Sequence, residues 1–203
     1  MSKIQFLKYS LIIYLLEISV SFAAIDTELE HVIQTVSYAF NVQDVQTIRQ
    51  YIHPQYGYIY WNKIGVPINQ SFYTRSEFSF PQYEANGSNM WFYQAPKANQ
   101  KLIKSTQLPT MDCTSWNKSG LFYTTNNRKP FSELSKNNQD IIEMSQQELD
   151  LELKKILPFE KQLVELQYVG KSKDIGDDML LFFSKINGKW YFSALDNAGN
   201  CDA

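Results

Sequence analysis

Histidine and cysteine are scarce in this chain, with two of each in 203 residues. The histidines, His31 and His53, stand in no HExxH or comparable ligand spacing, so the sequence implies no metal centre. The cysteines, Cys113 and Cys201, form no CxxC pair, which removes the usual redox and zinc-ribbon readings. Basic excess is also missing: 19 Lys and Arg stand against 21 Asp and Glu, a net charge of −2. No basic field is available to attract nucleic acid. GxSxG, P-loop and GxGxxG motifs are absent, so no cofactor is implied. "DIGDD" at 174–178 lacks the ligand spacing of a calcium loop and reads as a solvated turn. No repeat and no long low-complexity tract occurs. No apolar run of membrane length appears after the first two dozen residues.

Those first residues have their own pattern. Lys3 and Lys8 precede the short run "LIIYLLEISV", which Glu17 breaks, and "SFAA" follows with small residues. This is the layout of a secretory leader over 1–23, cut near Ala23. Residues 24–203 then form one domain in the periplasm or outside the cell, with no membrane span after cleavage. In such a compartment the even cysteine count favours a Cys113–Cys201 disulfide. Three N-x-S sequons, at Asn69, Asn86 and Asn117, matter only where such sites are glycosylated.

What the chain has in quantity is aromatic residues: 13 Tyr, 13 Phe and 4 Trp. That content argues against disorder and for a sheet-rich fold. Leu29, Val32, Ile33, Val36, Ala39 and Phe40 recur at helical spacing and predict a first helix. His31 lies off that stripe and reads as exposed. Asp44 is a plausible N-cap for a second, short helix whose Val45, Ile48 and Ile52 share a face. It stops at His53-Pro54, where His53 reads as a carbonyl cap. The next segment predicts a strand with Tyr56, Tyr58 and Tyr60 on one face and Ile59 and Trp61 on the other. Residues 65–130 carry strand-like pieces between turn signals and read as an elaborated middle region. "NNQDIIEMSQQELDLELKKILP" predicts a helix with a Ser145–Glu148 capping box, ended by Pro158. Three antiparallel strands close the chain, the last two joined by Asn187-Gly188. In the first of them Glu165 and Gln167 share a face with Leu163, opposite Val164, Leu166 and Tyr168; the pair reads as facing water, with the interior of a cone as the alternative.

The order helix, short helix, strand, later helix and C-terminal meander is similar to that of the NTF2-like (SnoaL-like) alpha+beta cone superfamily. "VSYAFNVQDVQTIRQYIHPQYGYIYW" resembles that family's opening and "INGKWYFSALD" its last hairpin, and the resemblance around them covers about 70 residues at the two ends of the chain. The resemblance implies an α+β fold: a curved antiparallel sheet closed by the N-terminal helices into a cone with an apolar cavity. The isomerase branch of the family places a phenol on the first helix and a carboxylate on the next strand. Val36 and Tyr60 occupy those positions here, Tyr38 comes into play only on a two-residue slip, and no acid lies on 56–61. Isomerase chemistry of that kind is therefore disfavoured.

Three functional readings follow. The first is a non-catalytic exported domain that binds a small, partly apolar ligand through Tyr56, Tyr58, Tyr60, Trp61, Glu165 and Gln167. The second is a protein-binding module of inhibitor or immunity type, motivated by the Tyr, Asn and Trp content of the middle region. The third, least favoured, is a cavity enzyme using carboxylates or tyrosines.

Overall fold

A computed structural model describes residues 27–63, 67–80, 95–97, 100–125, 128–174 and 178–198. The expected leader, Asn86 and Cys201 lie outside them.

Helix α1 runs through 27–41. Its six-residue stripe is buried to 5% exposure or less, while His31 is exposed as expected. The helix ends in a turn at Gln43, whose φ is 55°, with the Asp44 N–H donating to Ala39 O at 2.8 Å. Asp44 then caps α2 (Val45–Tyr51): its carboxylate accepts from Thr47 N–H at 3.0 Å and from Thr47 Oγ1 at 2.6 Å.

His53 departs from its expected role. Its Nδ1 accepts from the Gln55 and Tyr56 N–H groups at 3.2 and 3.1 Å, so it holds a turn instead of capping a carbonyl. Burial, helped by the positive charge of Arg75, lowers its proton affinity, which keeps the ring neutral and able to accept. The carbonyl left at this helix exit, that of Ile52, is met by the Arg75 guanidinium at 2.7 Å.

Seven strands follow: β1 (Tyr58–Lys63), β2 (Ile68–Tyr73), β3 (Leu102–Lys104), β4 (Gly120–Thr124), β5 (Leu163–Val169), β6 (Asp178–Ile186) and β7 (Lys189–Asn197). They make one sheet in the order β2-β1-β7-β6-β5-β4-β3. The expectation of an antiparallel sheet is corrected, because the sheet is mixed: β1 runs parallel to β7 and β3 parallel to β4. The closing meander β5-β6-β7 is antiparallel as read, and Asn187 and Gly188 both take positive φ at its last turn.

The later helix read over 137–158 starts only at Gln146, as α4 (Gln146–Glu160), after a turn, and a helix outside that reading, α3 (Pro130–Asn138), precedes it. The Ser145–Glu148 capping box opens α4 as expected. Pro158 does not end it. The helix continues to Glu160 because its last turn is engaged: Phe159 is 1% exposed, and the Glu160 carboxylate accepts from Ser132 N–H at 2.9 Å at the start of α3.

The two helix pairs cover opposite faces of the sheet. On one, the α1 stripe and Ile48 of α2 pack on Tyr58, Tyr123, Leu166, Phe183, Trp190 and Phe192. On the other, Phe131, Ile156 and Phe159 of α3 and α4 pack on Ile59, Trp61, Leu163, Phe182 and Ala194. Most of the aromatic side chains in these two clusters therefore fill the interfaces between the helices and the sheet.

Cys113 sits in the Asp112–Ser115 turn with φ 67° and is not a free thiol. Pairing with Cys201 is the expected explanation. Alkylation of the unfolded, oxidised chain is expected to add nothing, and two groups only after reduction. Modification before reduction would remove the pairing.

Candidate functional site

Strand β1 does not gather the tyrosines on one face. Gly57 has φ 69°, and a Cβ there would stand 1.8 Å from Tyr73 O, so a glycine is required. This kink takes Tyr56 out of the alternation. Tyr56 stacks on His53 at 4.5 Å and meets Phe159 edge-on at 6.3 Å, on the α3/α4 side. Tyr58 and Tyr60 lie on the α1/α2 side. Tyr58 is stacked on Tyr73 at 5.6 Å and on Phe192 at 5.9 Å. Burial pushes its ionisation well above the ordinary phenol range, with Tyr73, Glu77 and Tyr60 adding to the shift. The Tyr60 hydroxyl accepts from Asn197 Nδ2 at 3.0 Å. These two side chains are committed to packing and hydrogen bonding within the protein.

Trp61, Glu165 and Gln167 share the other face. Register places them in two adjacent cross-strand rows. Thr124, Glu165, Phe182, Ala194 and Ile59 stand in one. Phe122, Gln167, Leu180, Asp196, Trp61 and Gln70 stand in the next. The α3/α4 side of the sheet thus carries four acids and amides, Glu165, Gln167, Asp196 and Gln70, in a largely apolar field.

Glu165 is the least comfortable of them. Its side chain is 7% exposed, and Arg128 Nη1 lies 3.5 Å from Oε2. Among the described residues Oε1 has no hydrogen-bond partner, nor has Oγ1 of Thr124, the residue directly opposite on β4. Desolvation raises the proton affinity of Glu165, against the pull of Arg128 and with the push of Glu133. Gln167 is 4% exposed.

Asp196 is a member that sequence reasoning missed. It accepts from Ala198 N–H at 2.8 Å, and burial, reinforced by Asp178, pushes its carboxyl up to about 6. At the far end of the same row, Trp61 Nε1 donates to Gln70 Oε1 at 2.7 Å. Gln70 Nε2 donates to Ser135 Oγ at 2.9 Å and to Glu152 Oε1 at 3.1 Å. This chain of bonds fastens the row to α3 and α4. It borders a polar cleft of about 340 Å³ at the β2 edge that Asn62, Gln70 and Glu152 help to line.

Comparison with protein-family models, curated proteins and solved structures finds no match.

Proposed function

We propose that this protein is an exported, non-catalytic binding domain whose site is the sheet face around Thr124, Glu165 and Gln167. The observation that carries the reading is two orphaned atoms on directly opposed residues, Glu165 Oε1 on β5 and Thr124 Oγ1 on β4, each buried without a partner among the described residues. An unsatisfied buried polar atom costs about 1–3 kcal/mol. A ligand that brings an N–H donor to Glu165 recovers that loss. The neighbouring Phe122 and Leu180 suit an apolar body on the same ligand. The ligand class is therefore a small, partly apolar amine or amide. Kinship with the NTF2-like proteins is part of the proposal and rests on the two sequence ends. Two N-terminal helices packed on one sheet face support it. Export to the periplasm or beyond rests on the expected leader.

Thermal-shift and calorimetric titration with benzylamine and N-benzylacetamide test the site. Binding is expected to weaken at least about tenfold in Glu165→Gln, the size of one charge-assisted hydrogen bond. It should survive in Tyr60→Phe, on the opposite face. Binding untouched by the first change, or abolished by the second, would overturn the assignment.

The second reading, a protein-binding module, loses part of its original motive, because Trp116 of the middle region is 3% exposed. One observation favours it still. Ile141, Ile142, Leu151 and Leu157, in α4 and the turn before it, are each about half exposed.

A further inference from the structure

A second cleft, of about 530 Å³, lies on the opposite side of the sheet from Glu165, between α1, residues 96–97 and 100–101, and β4. Residues 95–97 are tied to the end of α1 by Asn41 Nδ2, which donates to Ala95 O at 3.1 Å. Among the described residues that line the cleft none is acidic, and Lys97 and Lys101 both face it. The nearby carboxylates of α1 are engaged elsewhere. Glu30 accepts from the Tyr123 hydroxyl at 3.2 Å, and Glu28 pairs with Lys185 at 3.9 Å.

A second, independent observation comes from Ser37. A serine or threonine inside a helix commonly bonds back to the carbonyl one turn earlier. Thr35 does so, donating to His31 O at 2.8 Å. Ser37, two residues on, does not: it is 2% exposed, lines the cleft, and its Oγ has no partner among the described residues. A buried, unpaired hydroxyl on a residue that lines a cleft carrying two lysines is an unused donor where negative charge is favoured. Beside it the cleft presents apolar surface: the ring of Tyr38, 48% exposed, and Leu121 from β4.

From this arrangement we infer that the α1 cleft binds a small organic anion. Its carboxylate or phosphate lies between Lys97, Lys101 and the Ser37 hydroxyl, and its apolar body rests on Tyr38 and Leu121. The site is independent of the Glu165 face, and it selects the opposite charge.

The test is titration of the full chain with benzoate, phenyl phosphate and inorganic phosphate, followed by calorimetry and by amide shifts of Ser37 and Tyr38. Benzoate and phenyl phosphate are expected to bind saturably with Kd of about 1 mM or tighter, in keeping with ligands of that size. Lys97→Gln with Lys101→Gln should weaken both about tenfold, as should a rise from low to high salt. Ser37→Ala should weaken them severalfold without lowering the melting temperature. Glu165→Gln should leave them unchanged, which separates this proposal from the amine site. No saturable binding by either organic probe, or binding indifferent to the lysine pair and to salt, would overturn the site. Inorganic phosphate binding as tightly as phenyl phosphate would overturn the role given to Tyr38 and Leu121.

Discussion

Replacing Phe192 with alanine is expected to destabilise the protein by about 4 kcal/mol, the range for losing a fully buried phenyl ring. At this chain size that loss corresponds to a fall in Tm of roughly 10 °C. Phe192 is 0% exposed and joins elements far apart in sequence. Its ring meets Phe40 of α1 at 5.5 Å, Tyr58 of β1 at 5.9 Å, Phe78 at 6.1 Å and Phe183 of β6 at 6.3 Å. Each contact is an edge-to-face or offset pair that adds to the area buried. Removing the hub leaves the α1 helix and the β1 strand facing a void that neither can close without moving the other. Urea denaturation should show the lower midpoint with an unchanged slope, and Phe192→Leu should lose much less. A loss below about 1 kcal/mol would mean that these rings are not the core, since buried Phe→Ala changes are rarely that mild. The same packing explains why Tyr58 carries no binding role in the proposal: the hollow expected beneath the tyrosines is filled by Phe192 and its neighbours.

The local signals in the sequence carried well where one element decides the outcome. The α1 stripe, the Asp44 cap, the Ser145–Glu148 box and the Asn187-Gly188 turn all stand as read. Each depends on residues within one or two turns of chain. What was not legible depends on partners far away. That β1 lies beside β7 is a pairing across more than a hundred residues, and periodicity holds no record of it. Asp196 therefore carries no signal of burial in the sequence, although it lies opposite Trp61 of β1. α3 escaped notice because "PFSELSKNN" is short and opens with a proline, which fits the first helical position as readily as a turn. For Glu165 and Gln167 the alternation separated the two faces of β5 correctly. It could not say that both side chains are buried. Tyr56 leaves the face that alternation gives it because β1 starts only at Tyr58, after the backbone turns at Gly57.

Asp196→Asn is expected to stabilise the protein at neutral pH and to do nothing near pH 4. The carboxyl is pushed up to about 6 by burial, from an ordinary value of 3.8 in the unfolded chain. Between those values the native state holds more protons than the unfolded state, so this group's contribution to stability falls as pH rises through the window. The full shift is worth about 3 kcal/mol, and partial exposure of the side chain brings the expected effect nearer about 2 kcal/mol. Asparagine keeps an acceptor for the Ala198 N–H and carries no charge to desolvate. The difference in stability between Asp196→Asn and the wild type should therefore grow from nothing at pH 4 to about 2 kcal/mol at pH 7 and then level. The difference is the proper readout because other groups titrate too. His53, whose proton affinity burial lowers, works in the opposite direction near pH 6. Asp44, Glu77, Asp112 and Glu148, held low by hydrogen bonds from Thr and Ser, lose their contributions only as pH falls through and below the ordinary carboxylate range. Glu165, raised in the same sense as Asp196, should add its own increment in Glu165→Gln. A flat difference curve would mean that water reaches Asp196 and leaves its charge unpenalised. A rising curve would show that this face of the sheet sacrifices stability at neutral pH to keep acids buried there, as a site built to receive a donor would require.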